Sequence, residues 1–319
     1  MIKRVLSILF AVLFVFSAFK TISISATENV QSQECSLTIN YLNKSKGIEN
    51  LEIKIYRVAK PCNDGSFEKI EPFSSYPVSI YDVTSKEEWK QTALTLESYI
   101  KADKIKPYQT DFTSKSGEVV FSELESGLYL VSSVVAKQKN KKYYFDAFMI
   151  SLPTYQNGEY DYDVKAQPKA DKVVQKDEFV KYKILKLWKD IGNKNSRPNS
   201  VKVDILKDGV LEKTVILSAK NNWFYSFKAL DDGSVWSVVE RNVAKNYRVK
   251  ISKNKTTFTL TNTHENNEDP NKKPPYKDAP GTGDTFNNTL YVMLMCFSGL
   301  VLVISGVGSM RGRKNEQKK

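Results

Sequence analysis

Between Val180 and Thr263 the chain alternates apolar and polar residues in short segments: Val180–Trp188, Val201–Lys207, Lys213–Leu217, Trp223–Phe227, Val235–Glu240, Tyr247–Ile251 and Thr257–Thr263. A period of two belongs to strands with one buried face, and strands this short can hide that face only against one another. Asp208-Gly209 and Asp232-Gly233 supply the backbone freedom that tight turns between strands demand. A β-sandwich over residues 178–265 follows.

The same period recurs upstream, in Leu37–Asn40, Leu51–Val58, Val119–Phe121, Gly127–Val135, Tyr143–Pro153 and Tyr160–Ala166. Ser85–Ile105 breaks it. There Trp89, Leu94, Leu96, Tyr99 and Ile100 fit a helix, and Glu87 and Glu88 suit its positive N-terminal end. The pattern predicts a mostly β first domain, 31–172, with one inserted helix, and a polar linker over 169–178. Residues 266–280, rich in Pro, Asn and Lys, read as an extended spacer.

Face parity in the second domain isolates three polar residues. Lys186 points with Ile184 and Trp188, Glu240 with Trp236 and Val238, and Asn262 with Phe258 and Leu260, all toward an apolar interior. Burying any of them alone costs several kcal/mol. Together they have a chemical way out: desolvation favours a neutral amine on Lys186 and a neutral acid on Glu240. Glu240 can then polarise the Asn262 carbonyl, the amine can attack it, and ammonia can leave. Parity leaves a second reading open, in which Lys186 snorkels to the surface and Asn262 caps an edge.

Both ends carry signals of export. Lys3 and Arg4, the apolar run Val5–Phe19 and the small residues Ser23, Ser25 and Ala26 read as a signal peptide over 1–26. Residues 290–310 carry no charge and precede Arg311, Arg313 and Lys314, as a membrane-spanning segment with a cytoplasmic tail would. The net charge of +12 does not point to nucleic acid. Without 1–26 and 283–319, 40 basic residues face 34 acidic ones, and the surplus is spread along strand faces. Cys35 and Cys62 fall in the exported first domain, where a disulfide is permitted and expected, whereas Cys296 lies in the apolar segment. His264 is the only histidine, which leaves a His-based metal site or triad without partners, and no phosphate-binding glycine loop is present. No metal or cofactor is expected.

Four resemblances sharpen these expectations. Ala279-Pro280-Gly281-Thr282-Gly283, followed by the apolar span and basic tail (279–319), resembles a cell-wall sorting signal. The resemblance implies that sortase cuts between Thr282 and Gly283 and joins the Thr282 carbonyl to an amine; Ala279 replaces the usual Leu. Leu185–Asp190, Arg197–Val201, Leu217–Trp223, Val238–Glu240 and Thr261–His264 resemble Cna B-type domains, the stalk repeats of Gram-positive adhesins and pilins. That resemblance implies an inverse immunoglobulin-type sandwich with a self-formed Lys186–Asn262 isopeptide bond, catalysed by Glu240.

More loosely, Ile53–Ala59, Gly127–Val131 and Phe148–Pro153 are similar to pilin N-terminal domains. Ser132 and Ser133 stand where many relatives carry Glu, and Asn40 lies near where a reactive Lys would be wanted, so a second such bond is not expected. Tyr160–Lys169 resembles the pilin motif, with Lys169 as acceptor of the next subunit, although Gln167 and Ala170 depart from it. The predicted architecture is two immunoglobulin-like β-sandwiches in tandem. The predicted function is a secreted, wall-anchored structural protein, a pilus subunit serving adhesion. Its partners are sortase, peptidoglycan, other pilin subunits and a host surface ligand. The rival reading is a lone wall-anchored adhesin whose first domain binds the host ligand. A secreted enzyme lacks any converging acid–base or nucleophile set outside the triad.

Overall fold

Strands dominate the chain from its first described residues. The first domain contains β1 (Cys35–Asn40), β2 (Leu42–Asn43), β3 (Lys46–Gly47), β4 (Glu52–Pro61) and β5 (Phe67–Lys69), followed by the helix α1 (Lys86–Asp103). After the helix come β6 (Gln109–Phe112), β7 (Glu118–Leu124), β8 (Gly127–Val131), β9 (Val134–Gln138), β10 (Lys141–Phe145), β11 (Phe148–Leu152), β12 (Thr154–Gln156), β13 (Glu159–Asp161), β14 (Asp163–Ala166) and β15 (Ala170–Val173). The computed structural model describes residues 33–265, apart from 82, 139–140, 157 and 174–175. The expected signal peptide, the spacer 266–280, Thr282, Gly283, Cys296 and the apolar segment 290–310 lie outside the described residues.

In the first domain, the sheet β14–β1–β7 shares one core with the sheet β11–β8–β4–β5, which β6 extends through β4. Leu37, Ile39, Ile55, Phe121, Tyr129 and Ile150 fill it. Every second residue of β1 is buried, as its alternation requires, whereas all five residues of β8 are buried. The reason is position: β8 lies between β4 and β11, and α1 packs on the same sheet through β11.

The helix begins where a reciprocal cap forms. The Ser85 hydroxyl accepts from Glu88 N at 3.2 Å, and the Glu88 carboxylate accepts from Thr84 N at 2.9 Å. It ends at Lys104, which adopts the left-handed conformation. Thr92, Thr95, Glu97 and Ser98 are buried on it beside the expected apolar residues. The helix has two sides to satisfy, because it also lies against the second domain.

The second domain comprises β16 (Lys176–Lys189), β17 (Ser200–Lys207), β18 (Val210–Ser218), β19 (Phe224–Asp231), β20 (Trp236–Arg241), β21 (Tyr247–Asn254) and β22 (Thr257–His264). They form two layers, β19–β16–β22–β21 and β18–β17–β20. First and last strands, β16 and β22, are parallel neighbours. Asp208 and Gly209, both at positive φ (51° and 80°), close the β17–β18 hairpin as a two-residue turn. Asp232-Gly233 instead carries the chain from one layer to the other.

Two expectations are corrected. The linker predicted over 169–178 is largely strand: Ala170–Val173 pair with β10, and β16 begins at Lys176. β15 is an edge strand, so nothing in its polar sequence had to alternate with a buried face. The Cys35–Cys62 disulfide is absent, and both thiols are free. Cys35 is buried at the start of β1, whereas Cys62 sits in the β4–β5 turn of the other sheet. Burial pushes the Cys35 thiol up to about 11. Alkylation of the native protein without reductant is therefore expected to label Cys62 and spare Cys35, with Cys35 labelled only after unfolding. Peptide mass mapping reads this, and a Cys35–Cys62 linked peptide would contradict it.

Candidate functional site

The parallel register of β16 and β22 sets the site. It opposes Lys186 to Leu260 and Trp188 to Asn262, so Lys186 and Asn262 emerge on the same inward face of one sheet. Glu240 comes from the other layer, where β20 pairs with β17 and Glu240 lies opposite Val203. The three side chains named from parity meet in the core. Lys186 and Glu240 have fully buried side chains, and Asn262 is completely buried.

Glu240 spans the other two. Asn262 Nδ2 donates to Glu240 Oε1 at 2.7 Å, and Lys186 Nζ lies 3.6 Å from Oε2, longer than a hydrogen bond. The amine donates to Leu187 O at 3.0 Å and to Leu260 O at 3.4 Å, and stands 4.1 Å from the centre of the Trp188 ring. Glu240 Oε2 and Asn262 Oδ1 have no hydrogen-bond partner. Glu240 is expected on the Asn262 carbonyl; its carboxyl instead holds the amide nitrogen, which is the group that would leave.

Burial decides the charge states. It lowers the Lys186 pKa to about 8, and the attraction of Glu240, acting the other way, does not restore it. Burial likewise raises Glu240 above the ordinary carboxylate value against the pull of Lys186. Both shifts favour the uncharged pair. A neutral amine is a nucleophile, and a neutral acid can give a proton to an amide or to its leaving nitrogen.

A second cluster, which parity does not reveal, closes this end of the sandwich. Asp190 is buried and accepts two hydrogen bonds from Arg197, both 2.6 Å, and one from the Tyr247 hydroxyl at 3.0 Å. Trp188 meets Trp223 and Tyr247 edge to face, and His264 does the same to Tyr247. The aromatic packing and the ion pair shut water away from Lys186. The sequence signal was there, in Trp188-Lys189-Asp190 and Arg197, but which groups pair depends on a loop closing over the strand end. Lys169 is elsewhere, exposed between β14 and β15 in the first domain.

Removing the Asn262 amide isolates the cost of burying the amine. In Asn262→Ala the amine stays in the fold, titrating near 8 rather than at its ordinary 10.5. Between those values the unfolded chain binds more protons, so stability rises with pH. Relative to Lys186→Met/Asn262→Ala, the single variant is expected to gain about 3 kcal/mol from pH 8 to pH 10.5, read by denaturant unfolding. Parallel pH profiles would contradict the shifted amine.

Residues 182–263 match the Cna protein B-type domain family. A collagen adhesin of Staphylococcus aureus is 33% identical over 122 residues, which cover 31% of this chain and 10% of that protein. The chain thus matches a tenth of the length of that curated relative. Among solved structures, a single B repeat unit of the S. aureus collagen-binding surface protein aligns with 73% of this chain and 98% of its own, at 17% identity and a TM-score of 0.25. A shaft pilin of Lactobacillus rhamnosus GG aligns with 73% and 98%, at 14% identity and 0.26. A major pilin of Corynebacterium diphtheriae aligns with 73% and 64%, at 12% identity and 0.27.

Proposed function

Taking the second domain as a Cna protein B-type domain, we propose that this chain is a structural surface protein that ties its own β16 to β22 through an isopeptide bond between Lys186 and Asn262. The observation that carries this reading is the position of Glu240, one oxygen on the leaving nitrogen and the other toward the amine. The neutral Nζ attacks the Asn262 carbonyl carbon. Glu240 takes a proton from the attacking nitrogen and delivers one to Nδ2; the Cγ–Nδ2 bond breaks, and ammonia leaves. One amide replaces another, so no cofactor or oxidant is required. Glu240 is catalytic in this single turnover.

The larger role follows from where force would enter. A chain held to a partner through the first domain and to the wall beyond residue 265 is pulled at the start of β16 and the end of β22. A covalent link between those strands passes the load without shearing the sheet. We read Thr282 as the residue that sortase joins to peptidoglycan or to Lys169 of another subunit, which makes the chain a wall-anchored pilus subunit. The exposure of Lys169 at a strand connection supports it as an acceptor. The likeness to a collagen adhesin favours one second reading, a lone wall-anchored adhesin whose first domain binds a host ligand.

Intact mass of the full chain is expected to fall short of the sequence mass by one ammonia, with a linked Lys186–Asn262 peptide after digestion. Glu240→Ala should restore the full mass; an unmodified wild-type mass would sink the crosslink. Closing a loop of 77 residues, from Lys186 to Asn262, should add about 4 kcal/mol by restricting the unfolded chain, as a disulfide would.

The pilus reading is tested on wall extracts of the producing bacterium. Wild type should give a high-mass ladder that both Lys169→Ala and Thr282→Ala abolish, with Lys169→Ala monomer still reaching the wall. A ladder persisting in Lys169→Ala points to another acceptor, Lys165 being nearest. No ladder in wild type leaves the adhesin.

A further inference from the structure

The sandwich of the second domain is open along one side, where β20 ends one layer and β21 ends the other. Edge strands present unpaired backbone groups that need partners. Here the first domain supplies them. On β21, Val249 N donates to Pro77 O at 2.7 Å and Ile251 N to Thr95 Oγ1 at 2.8 Å. On β20, the Tyr99 hydroxyl donates to the backbone oxygen of Glu240 itself, at 2.7 Å and buried. The next residue, Arg241, bridges Asp103 of the helix and Asp204 of β17, both at 2.7 Å.

Thr95, Tyr99 and Asp103 are spaced four apart and so form one stripe along α1. That stripe touches both layers of the second domain at once. The opposite partners of the helix are in its own domain, where Glu97 and Lys101 both bond Ser133. The triad is divided between the same two layers: Lys186 and Asn262 belong to one and Glu240 to the other. Its geometry therefore depends on their separation, and a misplacement of about 1 Å can slow a positioned reaction roughly a hundredfold.

We propose that helix α1 is a positioning element for the crosslinking reaction, holding the two layers in reacting register from outside and acting on Glu240 through Tyr99. This rests on the isopeptide reading above and extends it: the first domain assists the chemistry of the second. Tyr99 itself is nearly fully buried and stacks on Tyr76 at 4.8 Å between ring centres. Both Tyr99 and Glu240 line an interdomain cleft of about 970 Å³.

The charge balance gives the test its discriminating readout. Glu240 faces Lys186 from β16, Asn262 from β22 and Tyr99 from α1; Arg241 and Asp103 lie beyond the tyrosine, and Arg197 and Asp190 act on Lys186. The reactive state has both Lys186 and Glu240 uncharged. Water admitted at Tyr99 would favour their ion pair instead, which lowers the maximum rate and widens the pH range over which the pair stays net neutral.

The full chain is synthesised cell-free, and ammonia loss is followed by intact mass across pH. Tyr99→Phe, which keeps the ring and loses the hydroxyl, is expected to react about five- to tenfold more slowly in an unchanged pH window. Tyr99→Ala is expected to react roughly a hundredfold more slowly, in a window widened on both sides. Wild-type rates in Tyr99→Phe overturn the proposal, as does a slower Tyr99→Ala with its window unmoved, which would mean a structural role only. A wild-type chain that never loses ammonia overturns the crosslink itself and this role with it, whereas a wild type that reacts beside unaffected variants overturns the positioning alone.

Discussion

A parallel pairing between the first and last strands of a domain, as in β16 and β22, is what every other feature of the site answers to. It brings together residues far apart in the chain and fixes which of them share a face: the opposed pairs Lys186–Leu260 and Trp188–Asn262 put an amine and an amide side by side, with no freedom to turn outward. Once the amine is committed to the core, an ammonium there would be expensive, and so would an unpaired carboxylate opposite it. Glu240 and Lys186 therefore move toward the neutral state together, which is also the state in which they can react. The buried polar cluster would be a liability in an ordinary sandwich; under the proposed crosslink it is an arrangement of reactants.

The surroundings follow from the need to keep that cluster dry. Trp188 and the Asp190–Arg197–Tyr247 network close one end of the sandwich, and the first domain closes its open side. The second closure uses a helix that has to satisfy two domains. Its polar stripe looks ill suited to burial when α1 is considered with its own sheet, but it supplies hydrogen bonds to the backbone of β20 and β21. The domain interface bridges the same two layers that carry Lys186, Asn262 and Glu240.

The same reasoning explains which expectations failed. The disulfide rests on two cysteines in one domain expected to be exported, but co-occurrence says nothing about which sheet each occupies, and β1 and the β4–β5 turn belong to opposite ones. The linker was inferred from polarity, which marks an exposed edge strand as readily as a loop, and Ala170–Val173 are such a strand.

What the sequence determined by itself was local and periodic. Two-residue alternation gave the seven strands of the second domain and the buried faces of Lys186, Glu240 and Asn262; the break in that period at Ser85, with Glu87 and Glu88 just inside it, gave the start of α1, and Asp208-Gly209 gave the β17–β18 hairpin. Each depends on neighbours within a few residues, so each could be read without a fold. Tertiary structure alone decided that β16 and β22 are parallel neighbours, that Glu240 faces the amide nitrogen of Asn262, and that Arg197 folds back on Asp190. It also decided that Thr95 and Tyr99 turn away from their own domain. These are contacts across 7 to 156 positions of chain. No periodicity encodes which of several apolar faces will meet, because that choice is made by the packing of all the layers together.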